Sequence, residues 1–137
     1  MDYAAYVASL NSGRNAEFIN EWFTEDCVVD GGGMPAHGRE AFIAQLDVIR
    51  DGVREYARPQ RIAQAGDTLF AELDVDFIAE RDRPDFPMGP LRAGETLTIH
   101  CHVVYTLRDG KVAGMHNMFW QPGYGVTRQG APALQPA

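Results

Sequence analysis

The first part of the chain carries its apolar residues at helical intervals. Tyr3, Tyr6, Val7 and Leu10 fall on one face, and Gly13 follows as a residue suited to the left-handed end of a helix. Asn15 can accept from the free amides of a second helix, whose stripe is Phe18, Ile19, Trp22 and Phe23 and whose end falls near Thr24. Residues 27–30 read as a short strand that runs into the bend Gly31, Gly32, Gly33 before Pro35. After Gly38, the positions Phe42, Leu46, Ile49 and Val53 predict a third helix of about four turns with one apolar face. A face of that kind has to cover another layer.

From residue 55 onward the period changes to two. Residues 55–65, 68–80, 95–107 and 111–121 read as long antiparallel strands, with turn signals at Gly66-Asp67 and Asp109-Gly110. Between the second and third of them, residues 81–94 contain Pro84, Pro87 and Pro90 and form a loop long enough to serve as a lid or binding loop. Helices first and strands afterwards give an α+β order in which the helices lie on one face of the sheet. The pattern predicts one domain over residues 1–122 and an aperiodic tail, rich in Gly, Pro, Gln and Ala, over residues 123–137.

Composition narrows the function classes. A chain of 137 residues buries most of its unfolded surface without staples. Its net charge of −7 and its single lysine, Lys111, give no electrostatic support to nucleic-acid binding. No apolar run approaches the roughly 20 residues of a membrane helix. The start MDYAAYVASL lacks the basic and apolar regions of a signal peptide, so no membrane role and a cytoplasmic location are expected. Cys27 and Cys101 suggest neither a disulfide framework nor a CxxC zinc site and are expected as buried free thiols. No nucleotide fingerprint is present, and no cofactor is expected.

Two rows of polar residues are candidates for chemistry. Glu72, Asp74 and Asp76 alternate with Leu73, Val75 and Phe77, so the three carboxylates share one strand face. Facing a pocket, they would repel one another and supply a general acid or base near neutrality. The same alternation marks any half-exposed strand, and on that reading the acids face solvent or a second subunit. His100 and His102 point one way with Cys101 opposite, a spacing open to acid/base work, to metal binding or to an outward or interface pair. With no clear third ligand, metal is not expected. A two-residue loop at Asp109-Gly110 sets His102 opposite Asn117, whereas a three-residue loop with a bulge sets Cys101 there. His37 lies in a Gly/Pro bend, where surface exposure competes with a place at a pocket mouth.

The segments YVASLNSG, WFTEDCVVD, GREAF and YTLRDGKVAGMHNMFW resemble the successive signatures of the nuclear transport factor 2-like superfamily. That group includes SnoaL-like polyketide cyclases, ketosteroid isomerases, limonene-epoxide hydrolases and scytalone dehydratases. The resemblance spans residues 3–121 and implies a cone: three N-terminal helices on the concave face of a strongly curved, mixed, mainly antiparallel sheet. It also implies a homodimer through the convex face. Tyr6 resembles the tyrosine with which the isomerases hydrogen-bond an enolate, and their base aspartate falls at Gly31, or at Asp30 after a one-residue slip. The hydrolases' final-strand aspartate corresponds to Asn117. Their central-strand arginine and aspartate fall near Asp74 and Asp76, with Val75 in the aspartate's place when no gap is allowed. Their water-positioning tyrosine and asparagine fall at Val29 and Gly31. The resemblance turns Met115, Asn117 and Phe119 into the pocket.

The expected function is cofactor-independent proton transfer on a small hydrophobic or polycyclic substrate, by an isomerase, cyclase, dehydratase or hydrolase. Tyr6, Asp30, Asp74, Asp76 and His102 are the candidate catalytic groups, and Val29, Cys101, Met115, Asn117 and Phe119 the candidate substrate contacts. The alternative is a module of the same fold that binds a small molecule or dimerises without catalysis.

Overall fold

The computed structural model describes residues 1–31 and 33–119 in full and residues 126–129 as backbone. Asp2 opens α1 (Tyr3–Asn11), its carboxylate accepting from the Ala5 amide at 3.1 Å. Gly13, at φ 77°, turns the chain into α2 (Asn15–Trp22). Asn15 is the first residue of that helix rather than its cap: its side chain donates to Asp47 and accepts from Arg50. Phe23 and Thr24 no longer belong to the helix, because they open β1 (Phe23–Gly31). β2 (Pro35–His37) doubles back on β1 and leads into α3 (Arg39–Ile49). Val53 does not extend the α3 stripe as expected. A turn with Gly52 at φ 69° intervenes, and Val53 begins the next strand, where it is still buried.

The remaining strands are β3 (Val53–Ala65), β4 (Thr68–Ala79), β5 (Thr96–Arg108), β6 (Lys111–Phe119) and β7 (Val126–Gln129). The main path runs β2-β1-β6-β5-β4-β3. β1 and β6 are parallel and the other pairs antiparallel, so the sheet is mixed, mainly antiparallel, and curved as expected. β7 falls within the stretch expected as a tail and pairs with Thr96 to Ile99 of β5. Pro59 sits in β3, an end strand of the main path, at a register shift where its missing N–H does least harm.

The helices pack on one face of this sheet, α1 against β3 and α3 against β1 and β2. Asn11 pins α1 to β3 by donating to the Ala57 carbonyl at 2.9 Å and accepting from the Ala57 amide at 2.7 Å. The apolar set of β4, including Leu73, Val75 and Phe77, is buried beneath them.

One irregularity decides which side chains share that face. Asp109 and Gly110 both take positive φ, 53° and 77°, as a two-residue type I′ loop requires, and Arg108 stands opposite Lys111. Between the Leu107–Val112 and Thr106–Gly114 pairs the register slips by one residue, a β-bulge at Ala113. Val103 therefore faces Asn117. Neither His102 nor Cys101, the two partners expected from the turn alone, occupies that place.

Candidate functional site

A cavity of about 100 Å³ lies between the helices and the concave face. Its walls are mostly apolar: Phe18, Phe42 and Leu46 from the helices, Leu73, Val75 and Ile99 from the strands. Met34, Met88 and Met115 add flexible thioether side chains that can adjust to a ligand. Met88 comes from the 81–94 loop, which an isolated bridge between Arg83 and Leu91 ties back on itself, with Phe86 and Leu91 buried.

Few polar groups enter this space. Tyr6, 2% exposed, sends its hydroxyl toward Met115 Sδ at 4.0 Å and also meets Tyr105, whose hydroxyl lies 3.0 Å from that of Tyr3. Burial pushes all three phenols up, Tyr3 to about 12 and the other two further. They remain hydroxyls across the physiological range. Asn117 lies within hydrogen-bonding reach of the Cys101 sulfur. Its Oδ1 is buried with no hydrogen-bond partner among the described residues. A buried acceptor left open in this way is unusual and calls for a ligand or water to complete it. Burial first, and the nearby Glu55 charge second, push the Cys101 thiol to about 12, so it is no nucleophile.

The expected site residues divide sharply. Tyr6, Val29, Met115, Asn117 and Phe119 line the cavity, and Cys101 is buried at the same parity on β5, against Asn117. The bulge at Ala113 is what aims Met115, Asn117 and Phe119 inward. Asp74, Asp76 and His102 do not reach the cavity, because their neighbours Leu73, Val75, Cys101 and Val103 take the inward positions and strand alternation turns these three out. There Asp74 meets His100 Nδ1 at 2.5 Å, and Asp76 accepts from Arg58 and Thr98. Burial pushes the Asp76 carboxyl up, but those two partners outweigh it and hold it below the usual range. Asp30 also points away from the cavity, between the inward-facing Val29 and Gly31; it accepts from the Gly33 amide at 2.8 Å and lies 3.8 Å from His116. His37 is exposed on β2.

Several lining groups escaped the sequence reading. Glu55 reaches the cavity from β3, held by Arg50, and Gln45 and Tyr105 also line it. Glu55 lies between Val53 and Ala57, both buried at the same parity, a signal that could have marked it as inward-facing. Among the described residues, no three His, Cys, Asp or Glu side chains form a cluster that could hold a metal ion. No helix there is long and apolar enough to cross a membrane.

Three helices over a curved mixed sheet, closing one apolar cavity, define an α+β cone of the nuclear transport factor 2-like kind. Residues 3–115 match the model of the SnoaL-like domain, and the chain belongs to that family. Its fold is similar to that of a protein from Xanthomonas campestris pv. campestris assigned as a polyketide cyclase, with a TM-score of 0.72 at 24% identity over 84% of each chain. It is also similar to an LEH-like epoxide hydrolase of M. tuberculosis, with a TM-score of 0.66 at 14% identity over 85% of this chain and 78% of the other. A third similar structure, of ketosteroid isomerase-like fold from Catenulispora acidiphila and in complex with trimethylamine, gives 0.68 at 12% identity over 90% and 88%. At these identities the likeness carries the fold and not the reaction. No curated protein matches the chain.

Proposed function

We propose that the protein is a cofactor-independent enzyme that moves a proton on a small, largely apolar substrate bearing one oxygen function. The observation that carries this reading is Asn117 Oδ1, an unpaired acceptor buried beside Tyr6 in an apolar cavity. A cavity of about 100 Å³ suits a single ring or less, since an engineered apolar cavity of about 150 Å³ holds benzene. It therefore favours a small substrate over a polycyclic one. Asn117 and the Tyr6 hydroxyl are suited to holding the substrate oxygen, and a half-turn of the Asn117 amide exchanges acceptor for donor. Proton transfer on a substrate so held is the chemistry shared by isomerases, cyclases and dehydratases.

We further propose that two copies associate through the convex face, where Val28, Tyr56, Phe70 and Met118 are exposed large apolar groups. Light scattering should then give twice 15.2 kDa, and a monomer at micromolar concentration would overturn this part. The buried thiols Cys27 and Cys101 suit a cytoplasmic location.

A thermal-shift screen of small cyclic ketones and alcohols tests the main reading, because a ligand that binds only the folded state raises its stability. With a ligand found, Asn117→Ala should weaken binding about tenfold through the lost hydrogen bond. Tyr6→Phe should lower turnover more than affinity. Binding without any turnover across the screen would leave a small-molecule-binding module in place of an enzyme.

A further inference from the structure

We propose that Glu55 is the proton-accepting group of this pocket, oriented by Arg50 so that one carboxylate oxygen stays free for the substrate. The inference rests on the proton-transfer reading above and names the base that reading lacks, since Asp30, Asp74 and Asp76 all point away. Glu55 is the one charged side chain among the described residues that line the cavity.

Its surroundings fix one half of the carboxylate and leave the other open. Arg50 Nε donates to Oε2 at 3.0 Å, and the two side chains are 7% and 15% exposed, the arginine the lower. The guanidinium is itself held on its other nitrogens, Nη1 donating to Asn15 Oδ1 at 2.6 Å and Nη2 to the Leu10 carbonyl at 3.0 Å. Arg50 is thus aimed from both sides and cannot swing to cover the second oxygen. Oε1 accepts no hydrogen bond among the described residues. That oxygen is not among the fully buried atoms that lack a partner, so it keeps open surface on a side chain that lines the cavity.

The position also suits a base. Two residues further along β3, Ala57 is gripped through both backbone groups by Asn11, so the strand carrying Glu55 is fixed against α1. The Glu55 charge is felt at the Tyr6 phenol and at the Cys101 thiol, on which Asn117 bears. Tyr6, Asn117 and Glu55 line the same cavity, so a substrate whose oxygen sits at the first two can turn a neighbouring carbon toward the third. The step is the transfer of a proton from a C–H next to a carbonyl to Oε1. The C–H electron pair becomes the new carbon–carbon π bond, and the carbonyl pair moves onto oxygen as an enolate facing the Tyr6 hydroxyl. The glutamic acid so formed returns the proton to a different carbon, and no oxidant or co-reactant is consumed.

The test uses the whole chain and two probes. In cyclopentanone dissolved in D2O a base removes a proton from the carbon next to the carbonyl, the enolate takes up a deuteron at the same carbon, and NMR follows the loss of that proton signal. The second probe, phenol, is a single ring that reports binding by calorimetry without reacting. The parent protein should accelerate the exchange beyond an equal concentration of acetate. Glu55→Gln should lose about a hundredfold in kcat or more while phenol affinity is kept. Glu55→Asp keeps the charge opposite Arg50 and decides the matter should Glu55→Gln fail to fold; drawing the carboxylate back should cost about tenfold or more in kcat, again without loss of binding. Folded Glu55→Gln or Glu55→Asp protein with the parent's kcat overturns the role of Glu55 and leaves the pocket reading standing. So does a parent that binds phenol yet gives no acceleration over acetate. A parent that neither binds phenol nor accelerates the exchange overturns both.

Discussion

β4 and β5 present two faces built from alternate residues of the same segments, and the two faces treat polar groups in opposite ways. On the convex side the charges answer one another across the strands. Arg58 reaches both oxygens of Asp76, at 2.9 and 3.1 Å, Thr98 donates to the same carboxylate at 2.7 Å, and Arg61 pairs with Glu72 at 2.9 Å. On the concave side polar groups are few, and two of their atoms, Asn117 Oδ1 and Glu55 Oε1, find no hydrogen-bond partner among the described residues. Abundance of acids marks a ladder that satisfies itself. Scarcity with open valences marks the place where a ligand completes the structure.

The largest effect should come from making the concave face resemble the convex one. Val75 is 5% exposed, so Val75→Asp buries a carboxylate that has no cation opposite it. A cost of about 5 kcal/mol or more is expected, enough to unfold a domain of this size. Circular dichroism and urea titration would show it, and a cooperative transition near that of the parent would break the contrast between the faces.

Next comes the one ion pair on the cavity side among the described residues. Arg50→Met leaves Glu55 without its cation in a poorly solvated place and should cost about 3 kcal/mol, measured by denaturant unfolding. Adding Glu55→Leu should recover most of that loss. If the double variant is no more stable than the single one, the arginine stabilises the helices through Asn15 and Leu10 rather than through the carboxylate.

A smaller effect appears in alkali. The Tyr3 phenol is held at about 12 against an ordinary value of 10.0, and burial raises Tyr6 and Tyr105 as well. For a group raised on folding, the contribution is complete below the unfolded value and lost as pH climbs through the folded one. Stability should therefore stay level up to about pH 10 and then fall, with Tyr3 alone accounting for about 2 kcal/mol by pH 12. Tyrosinate absorbance against pH should show late-ionising phenols, and Tyr3→Phe should flatten the fall. Normal ionisation of every tyrosine at pH 10 in folded protein would overturn the phenol cluster.

How far these faces could be read beforehand follows from what periodicity encodes. Helical spacing and strand alternation gave the order of elements, because each is a property of neighbouring residues. The errors at Val53 and at Phe23 and Thr24 are boundary errors, where an apolar residue continues a stripe although the chain has changed element. The facing of Asn117 needed more than alternation. Counting from the Asp109-Gly110 turn alone sets it outward opposite His102, and only the bulge at Ala113 reverses it. The family resemblance supplied that facing where spacing could not. Glu55 was missed for a different reason: its partner Arg50 follows α3 and its cavity is closed by α1, so its role exists only in tertiary structure.

The smallest expected effect concerns the residues that look most catalytic in the sequence. Asp74→Asn and Asp76→Asn each remove a charge from the convex ladder, where the side chains are 24% and 19% exposed and the cation Arg58 is 44% exposed. Partly solvated pairs of this kind contribute about 1 kcal/mol or less, so unfolding at neutral pH should shift little. Asp76 should show the clearer pH dependence. Its folded carboxyl lies below the ordinary value of 3.8, so its contribution is present above that value and disappears as pH falls through the lowered one. The parent and Asp76→Asn should therefore converge in stability in acid and separate above pH 4. Exchange of cyclopentanone protons and affinity for phenol should be unchanged in both variants, since the strand lies between these carboxylates and the cavity. A marked loss of turnover in either one, with folding intact, would mean that the two faces communicate through the sheet and that the convex ladder takes part in function.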